Sequence, residues 1–300
     1  MKNKGVLLVF LTAIISGFSI FINKFSVSVI NPYIFTFLKN VVVAVLICGL
    51  VVVIKDWKIL KNLNRKYWLL LIAIGFVGGS IPFLLFFKGL SLTTASQGSF
   101  IHKTMFIYVM ILAVLFLREK IDKKLLFGGL LLLLGNVFLL KFIPHSVSKG
   151  DLLVLIATLL WAVENIISKY TLKELPSRIV IWGRMFFGSI FILLFLAITG
   201  QISLMENLNI NQISWVLITS IILFGYVMTW YSGLKYVPVS LATTILLLGA
   251  PITTLLTFMS SGIITSKEIF GIGLSLGGAF LVLGSKYIIE RIKKIIYVRT

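Results

Sequence analysis

The sequence predicts an all-α membrane protein of ten transmembrane helices, arranged as two five-helix repeats inserted in opposite orientations. Three observations predict it. The 300 residues are 59% hydrophobic and only 12% charged, whereas soluble domains carry about 25% charged residues. Ten apolar segments follow one another, each near the roughly 20 residues a helix needs to cross a bilayer core. The second half also repeats the first at a shift of 143 to 145 residues.

The segments are 5–22, 33–54, 67–87, 94–117, 125–142, 151–170, 179–199, 213–233, 239–260 and 269–288. Backbone groups in lipid must be satisfied internally, so each is read as a helix. The alternating segments of about ten residues that mark outer-membrane strands are absent.

Taken in order, helix 1 carries a polar stripe, Thr12, Ser16, Ser19 and Asn23, on one face. Helix 2 holds Lys39 and the single cysteine, Cys48, so no intrachain disulfide can form. Helix 3 contains Gly78-Gly79-Ser80-Ile81-Pro82, a predicted kink. Helix 4 carries His102 and Lys103, with Ser96, Ser99 and Phe106 at similar spacing, and helix 5 carries Gly128 and Gly135. Helix 6 contains Trp161, Glu164 and Asn165, and helix 7 contains Arg184. Helix 8 carries Tyr226, Trp230 and Tyr231; helix 9 carries Ser240, Thr243, Thr244 and Gly249-Ala250-Pro251; helix 10 carries Gly271 and Gly278. Trp57, Trp68 and Trp182 read as anchors at the membrane surface.

The net charge of +19 does not indicate nucleic acid, because no hydrophilic domain exists to hold it. Lys and Arg instead sort by loop. With the N-terminus inside, 20 of the 28 fall in inside segments, five in outside segments and three within helices. This asymmetry places both termini in the cytoplasm. The apolar run after Met1–Lys4 lacks a cleavage pattern and has a copy in the second half, so it reads as helix 1 rather than a signal peptide.

In the repeat, Gly5 lies on Gly150, Lys39 on Arg184, Gly89 on Gly233, Gly128 on Gly271 and Gly135 on Gly278. Five helices is an odd number, so the second copy enters the membrane inverted. The expected units are 1–143, 148–290 and a basic cytoplasmic tail, 291–300. Inverted repeats place a substrate site near the midplane where the halves meet.

Trp161-Ala162-Val163-Glu164-Asn165 is similar to a W-G-S-N pattern near the start of a repeat. Leu117-Arg118-Glu119-Lys120 resembles an L-x-E ending of a fourth helix, followed by the glycines of a fifth. With the basic Lys39 and Arg184 and with Gly249-Ala250-Pro251, these motifs resemble the EamA family of the drug/metabolite transporter superfamily across essentially the whole chain. The pattern departs from the family at Ser16, Ile20, Gly262, Glu164 and Lys103. The resemblance implies secondary transport of amino acids or related metabolites, often outward.

Candidate site residues follow from depth and chemistry. Eight of the nine carboxylates fall in loops or at helix ends and read as solvated charge. Glu164 lies 13 residues beyond Asp151, about 20 Å along the helix. An ionised group there costs about 2.5–3.5 kcal/mol, so it should face a cavity or a partner, and it is the candidate proton-coupling group. Lys103 is about 14 Å deep and is expected within reach of Glu164, either as a pair or across a zwitterionic substrate. Lys39 and Arg184, five or six residues from helix ends, are expected to snorkel to headgroups. The expected substrate-binding set is Ser16, Ser19, His102, Lys103, Trp161, Glu164, Asn165, Tyr226 and Trp230.

No nucleotide-binding, hydrolase or metal-ligand motif is present. No cofactor is therefore expected, and only Glu164 and His102 could serve an intramembrane enzyme. The chain reads as a transporter of a small zwitterionic metabolite, with a channel, a lipid scramblase and an enzyme as alternatives. Its expected partners are that substrate and the lipid bilayer, with room for a homodimer and no nucleic acid. Its expected place is the cell membrane.

Overall fold

A computed structural model describes residues 2–93, 95–139, 147–205, 208–261 and 264–284. The described residues form helices and connecting turns, without a strand. The helices are α1 (Lys2–Val29), α2 (Pro32–Val53), α3 (Trp57–Lys61), α4 (Arg65–Val77), α5 (Ile81–Leu92), α6 (Ala95–Lys103) and α7 (Met105–Leu117) in the first half. They continue with α8 (Lys123–Leu139), α9 (Lys149–Thr171), α10 (Ser177–Ile198), α11 (Ile210–Leu234), α12 (Val239–Leu246), α13 (Gly249–Ser261) and α14 (Ser266–Leu283). Among the described residues, eight helical stretches are long and apolar enough to cross a membrane. The apolar stretch Asn3–Ser19 of α1 and the 17-residue α8 are shorter. The expected basic tail 291–300, the end of the second repeat and Gly262 lie outside the described residues.

Local sequence explains the helix ends. Asn31 accepts from the Tyr33 and Ile34 amides ahead of Pro32, opening α2. Reciprocal capping boxes, Ser148 with Asp151, Asn209 with Gln212 and Thr265 with Glu268, open α9, α11 and α14. This corrects the reading of the carboxylates as solvated. Asp151 and Glu268 are buried caps, and Asp56 is a buried partner of Arg178 at 2.6 Å.

Three of the predicted spans are broken. The third divides at Gly78–Ser80, where the kink was expected. Pro82 has no N–H to offer the Gly78 carbonyl, so the helical bond is missing. The fourth divides at Thr104 and the ninth at Leu247–Leu248. These last two breaks fall at matching positions of the repeat.

Packing follows the repeat. Gly5 of α1 meets Gly233 of α11, and Gly150 of α9 meets Gly89 of α5. The second contact joins the repeat mates of the first. Gly128 faces Gly278 and Gly135 faces Gly271, so α8 and α14 run antiparallel. A Cβ on any of these four would come within 2.6–2.9 Å of the facing carbonyl oxygen, which is why the positions are glycine. Ile34 near the start of α2 clusters with Leu196 near the end of α10, so this equivalent pair is antiparallel too.

The buried core lies along the helix interfaces, while Val53, Leu115, Phe116 and Ile198 stand exposed on the outside. An apolar exterior of this kind suits hydrocarbon and not water. Trp182 corrects one expected surface anchor. It is buried, stacked on Phe186 with ring centroids 4.9 Å apart and edge-on to Trp68.

Candidate functional site

Residues from both halves line a cavity of about 110 Å³. From the first half come Ser16, Ser19 and Asn23 of α1, Lys39 of α2, Phe83, Phe86 and Phe87 of α5, and His102 and Met105 beside the α6–α7 break. From the second half come Trp161, Glu164 and Asn165 of α9, Arg184 of α10, and Leu223, Tyr226 and Trp230 of α11.

The broken third span builds one wall. The Gly78 carbonyl, which lacks a helical donor, accepts instead from Trp161 Nε1 and Arg184 Nη2, each at 3.0 Å. The Gly79 carbonyl accepts from Asn40 Nδ2 at 2.8 Å. A proline in the sequence thus frees one carbonyl to fix both an indole and a guanidinium at the cavity.

Glu164 is 1% exposed. Its Oε1 accepts from Ser168, one turn along α9, and from the Tyr231 hydroxyl at 2.6 Å. That hydroxyl in turn accepts from Arg184 Nη1 at 2.7 Å. Carboxylate, phenol and guanidinium form one chain, so opposite charges compensate through a shared hydroxyl. The Arg184 Nε has no hydrogen-bond partner among the described residues.

Lys39 is 2% exposed, and its ammonium donates to Asn23 Oδ1 at 3.1 Å. It lies 5.2 Å from the ring centroids of both Phe35 and Phe87. Ser19 fixes the amide through a 2.9 Å bond from Asn23 Nδ2. Each ring face offers an ammonium about 0.5–2 kcal/mol, against about 2.5–3.5 kcal/mol to place the charge at membrane depth. Asn165 and Trp230 complete the other wall, Trp230 Nε1 donating to Asn165 Oδ1 at 3.2 Å. His102 stands edge-on to Trp161 with centroids 5.2 Å apart.

A family comparison covers most of the chain. The model of the EamA-like transporter family matches residues 3–141 and again residues 148–284. The chain belongs to the EamA-like transporter family. It is 25% identical to the uncharacterized transporter YetK of Bacillus subtilis over 290 residues, 91% of this chain and 84% of that one. It is 26% identical to the riboflavin transporter ImpX of Fusobacterium nucleatum, over 63% of this chain and 67% of that one. A match to an uncharacterized transporter of Methanothermobacter thermautotrophicus, at 28% identity, spans 35% of that protein and 38% of this chain. A crystal structure superposes with a TM-score of 0.76 at 16% identity, covering 93% of this chain and 96% of that one. This last likeness establishes the fold alone.

In this EamA-family protein, eight of the nine expected site residues line the cavity: Ser16, Ser19, His102, Trp161, Glu164, Asn165, Tyr226 and Trp230. The ninth, Lys103, does not. It is buried, and its ammonium donates to the Leu246 carbonyl at the end of α12, 3.3 Å away, beside a separate void of about 10 Å³. No ion pair joins it to Glu164 among the described residues. The physical reason is rotation about the helix axis. Depth put the two side chains at similar levels, but Lys103 turns toward the broken ninth span and Glu164 toward α11.

The snorkelling of Lys39 and Arg184 is likewise corrected, since both are buried and both line the cavity. A signal for this was present in the sequence. Phe35, Lys39 and Val43 share one face of α2, and all three are buried. Thr12, first in the polar stripe, bonds Thr229 at 2.8 Å and serves packing. The side chain of Ser96 lies outside the described residues.

Proposed function

We propose that the chain is a secondary carrier that moves a small metabolite, an amino acid or a related zwitterion, by alternating access of this cavity. It crosses the cell membrane ten times, as two inverted units, 1–143 and 148–290, with both termini and the tail 291–300 in the cytoplasm. The observation that carries the reading is the cavity itself, lined by residues of both repeats and furnished with charges of both signs. Matched breaks in the fourth and ninth spans support it, because discontinuous helices near the midplane are where carriers bind and rearrange.

Glu164, already partnered by two hydroxyls, is the candidate proton-coupling group.

Counterflow in proteoliposomes tests the reading. Preloading with a transported amino acid should accelerate entry of the labelled compound. A channel or a lipid scramblase shows no such trans-stimulation, and an enzyme alters its substrate; either result overturns the proposal.

A further inference from the structure

We infer that Lys39, held by Asn23, is the carboxylate-binding residue of this cavity, so that a compound must carry a carboxylate to be bound. The inference rests on the carrier reading for its cavity and goes beyond it in assigning the residue and the chemical group.

Three cations, Lys39, Lys103 and Arg184, are buried within the helices, and each needs compensation. Arg184 reaches the Glu164 charge through the Tyr231 hydroxyl, and its other amino group is bonded to the Gly78 carbonyl. Lys103 has the Leu246 carbonyl at the C-terminal end of α12, where the helix dipole favours a cation. Lys39 has neither. Its partners are one amide oxygen and two aromatic rings, and no carboxylate lies within 4 Å of it among the described residues.

An ammonium carries three donors, and only one is used here. Asn23 spends its own N–H on Ser19, so the amide oxygen is held toward Lys39. The group is therefore positioned, buried and incompletely paired, and it lines the cavity. A ligand carboxylate supplies the missing counter-charge and accepts the free N–H groups. Phe83, Phe86 and Phe87 surround that end of the cavity with apolar surface suited to the carbon body of the same compound. Of the three cations, only Lys39 combines cavity lining with the lack of a charged partner, which makes it the specificity residue in place of Lys103.

The test uses the purified full-length protein and three matched compounds: a neutral amino acid with an apolar side chain, its methyl ester and its decarboxylated amine. Thermal stabilisation should be seen with the amino acid and not with the ester or the amine. In Lys39→Gln the affinity for the amino acid should fall by about tenfold or more, and Lys39→Arg should restore part of it. Equal stabilisation of the wild-type protein by ester or amine overturns the inference, and this arm stands even if Lys39→Gln fails to fold. Undiminished binding by a folded Lys39→Gln overturns it as well. Counterflow with the same compounds separates the two proposals. Carboxylate-dependent binding without counterflow sinks the carrier reading and leaves the assignment of Lys39 intact. Counterflow that prefers the amine does the reverse.

Discussion

Lys39 and Arg184 are mates under the internal repeat, and both turn inward onto one pair of stacked rings. Lys39 lies over Phe87 and Arg184 over Phe83, the two rings being 6.1 Å apart and nearly parallel. The two cations reach one cavity from different helices, one in each repeat. Their partners differ, and so should their tolerance of substitution.

Arg184 uses its fork, one amino group on the Tyr231 hydroxyl and the other on the Gly78 carbonyl. A lysine keeps the charge but cannot span both acceptors. Arg184→Lys should lower stability by about 1–3 kcal/mol, the cost of a buried acceptor left unpaired, and should slow counterflow. An unchanged melting temperature would show that the guanidinium does not hold the break in the third span.

The orientation of the chain can be checked with single cysteines in a Cys48→Ser background. Asn62 and Ser203 are both exposed and fall on opposite sides in the proposed arrangement. Cysteines placed at these positions should react oppositely with an impermeant thiol reagent added to intact cells, Ser203→Cys labelling and Asn62→Cys not. Equal labelling of the two would sink the arrangement.

Much of this architecture was legible in the sequence because hydropathy and repeat spacing can be read without knowing how the helices pack. The kink at Gly78–Pro82 and the cavity face of Ser16 and Ser19 are of that kind. Lys103 and Lys39 were misread because their roles depend on which neighbour each helix turns toward. A depth along the helix axis is fixed by counting residues; the rotation about it is fixed by packing. The repeat held the missing clue. Lys39 and Arg184 match across 145 positions, and a headgroup contact does not require such a match, whereas a shared cavity does.

Gly79 tests the packing of the broken span. A methyl group there would collide with the Arg184 carbonyl, and Gly188 on the same helix already lies so close that its own Cβ would come to 2.6 Å from the Gly79 oxygen. Gly79→Ala should destabilise the protein by about 1–3 kcal/mol through overpacking. Gly273→Ala, at a position where an added methyl carbon would meet nothing within 4 Å, should be neutral. Melting curves of the two variants in one detergent make the comparison, and similar losses in both would contradict the close approach at Gly79.

Glu164→Gln separates coupling from positioning. The amide still offers an oxygen to Tyr231 and Ser168 but cannot take up and release a proton. Accumulation driven by an imposed pH gradient should disappear, while exchange of substrate at equal pH persists in part. Retention of the gradient-driven accumulation would assign Glu164 to structure.

The last prediction concerns Glu119, which joins the end of α7 to the start of α12. Pro238 precedes α12 and provides no side-chain cap, so the first N–H groups of the helix need an outside acceptor. Glu119 supplies it across the two halves. Its carboxylate accepts from the Val239 amide at 2.8 Å, the Ser240 amide at 3.2 Å and the Ser240 hydroxyl at 2.6 Å. Nearby, the Lys169 ammonium donates to the Leu234 and Val237 carbonyls, each at 2.6 Å, and fixes the turn that leads into α12. Under the proposed topology this cluster lies on the cytoplasmic side, where a tie between the halves must open for the cavity to face inward. Glu119→Ala should cost about 1–2 kcal/mol, the scale of a lost helix cap, and Glu119→Gln should cost less because one acceptor remains. If the tie also restrains opening, a cysteine at Tyr226 in the cavity should label faster from the cytoplasmic side in Glu119→Ala than in the parent protein. A lower melting temperature with unchanged labelling would limit Glu119 to capping α12.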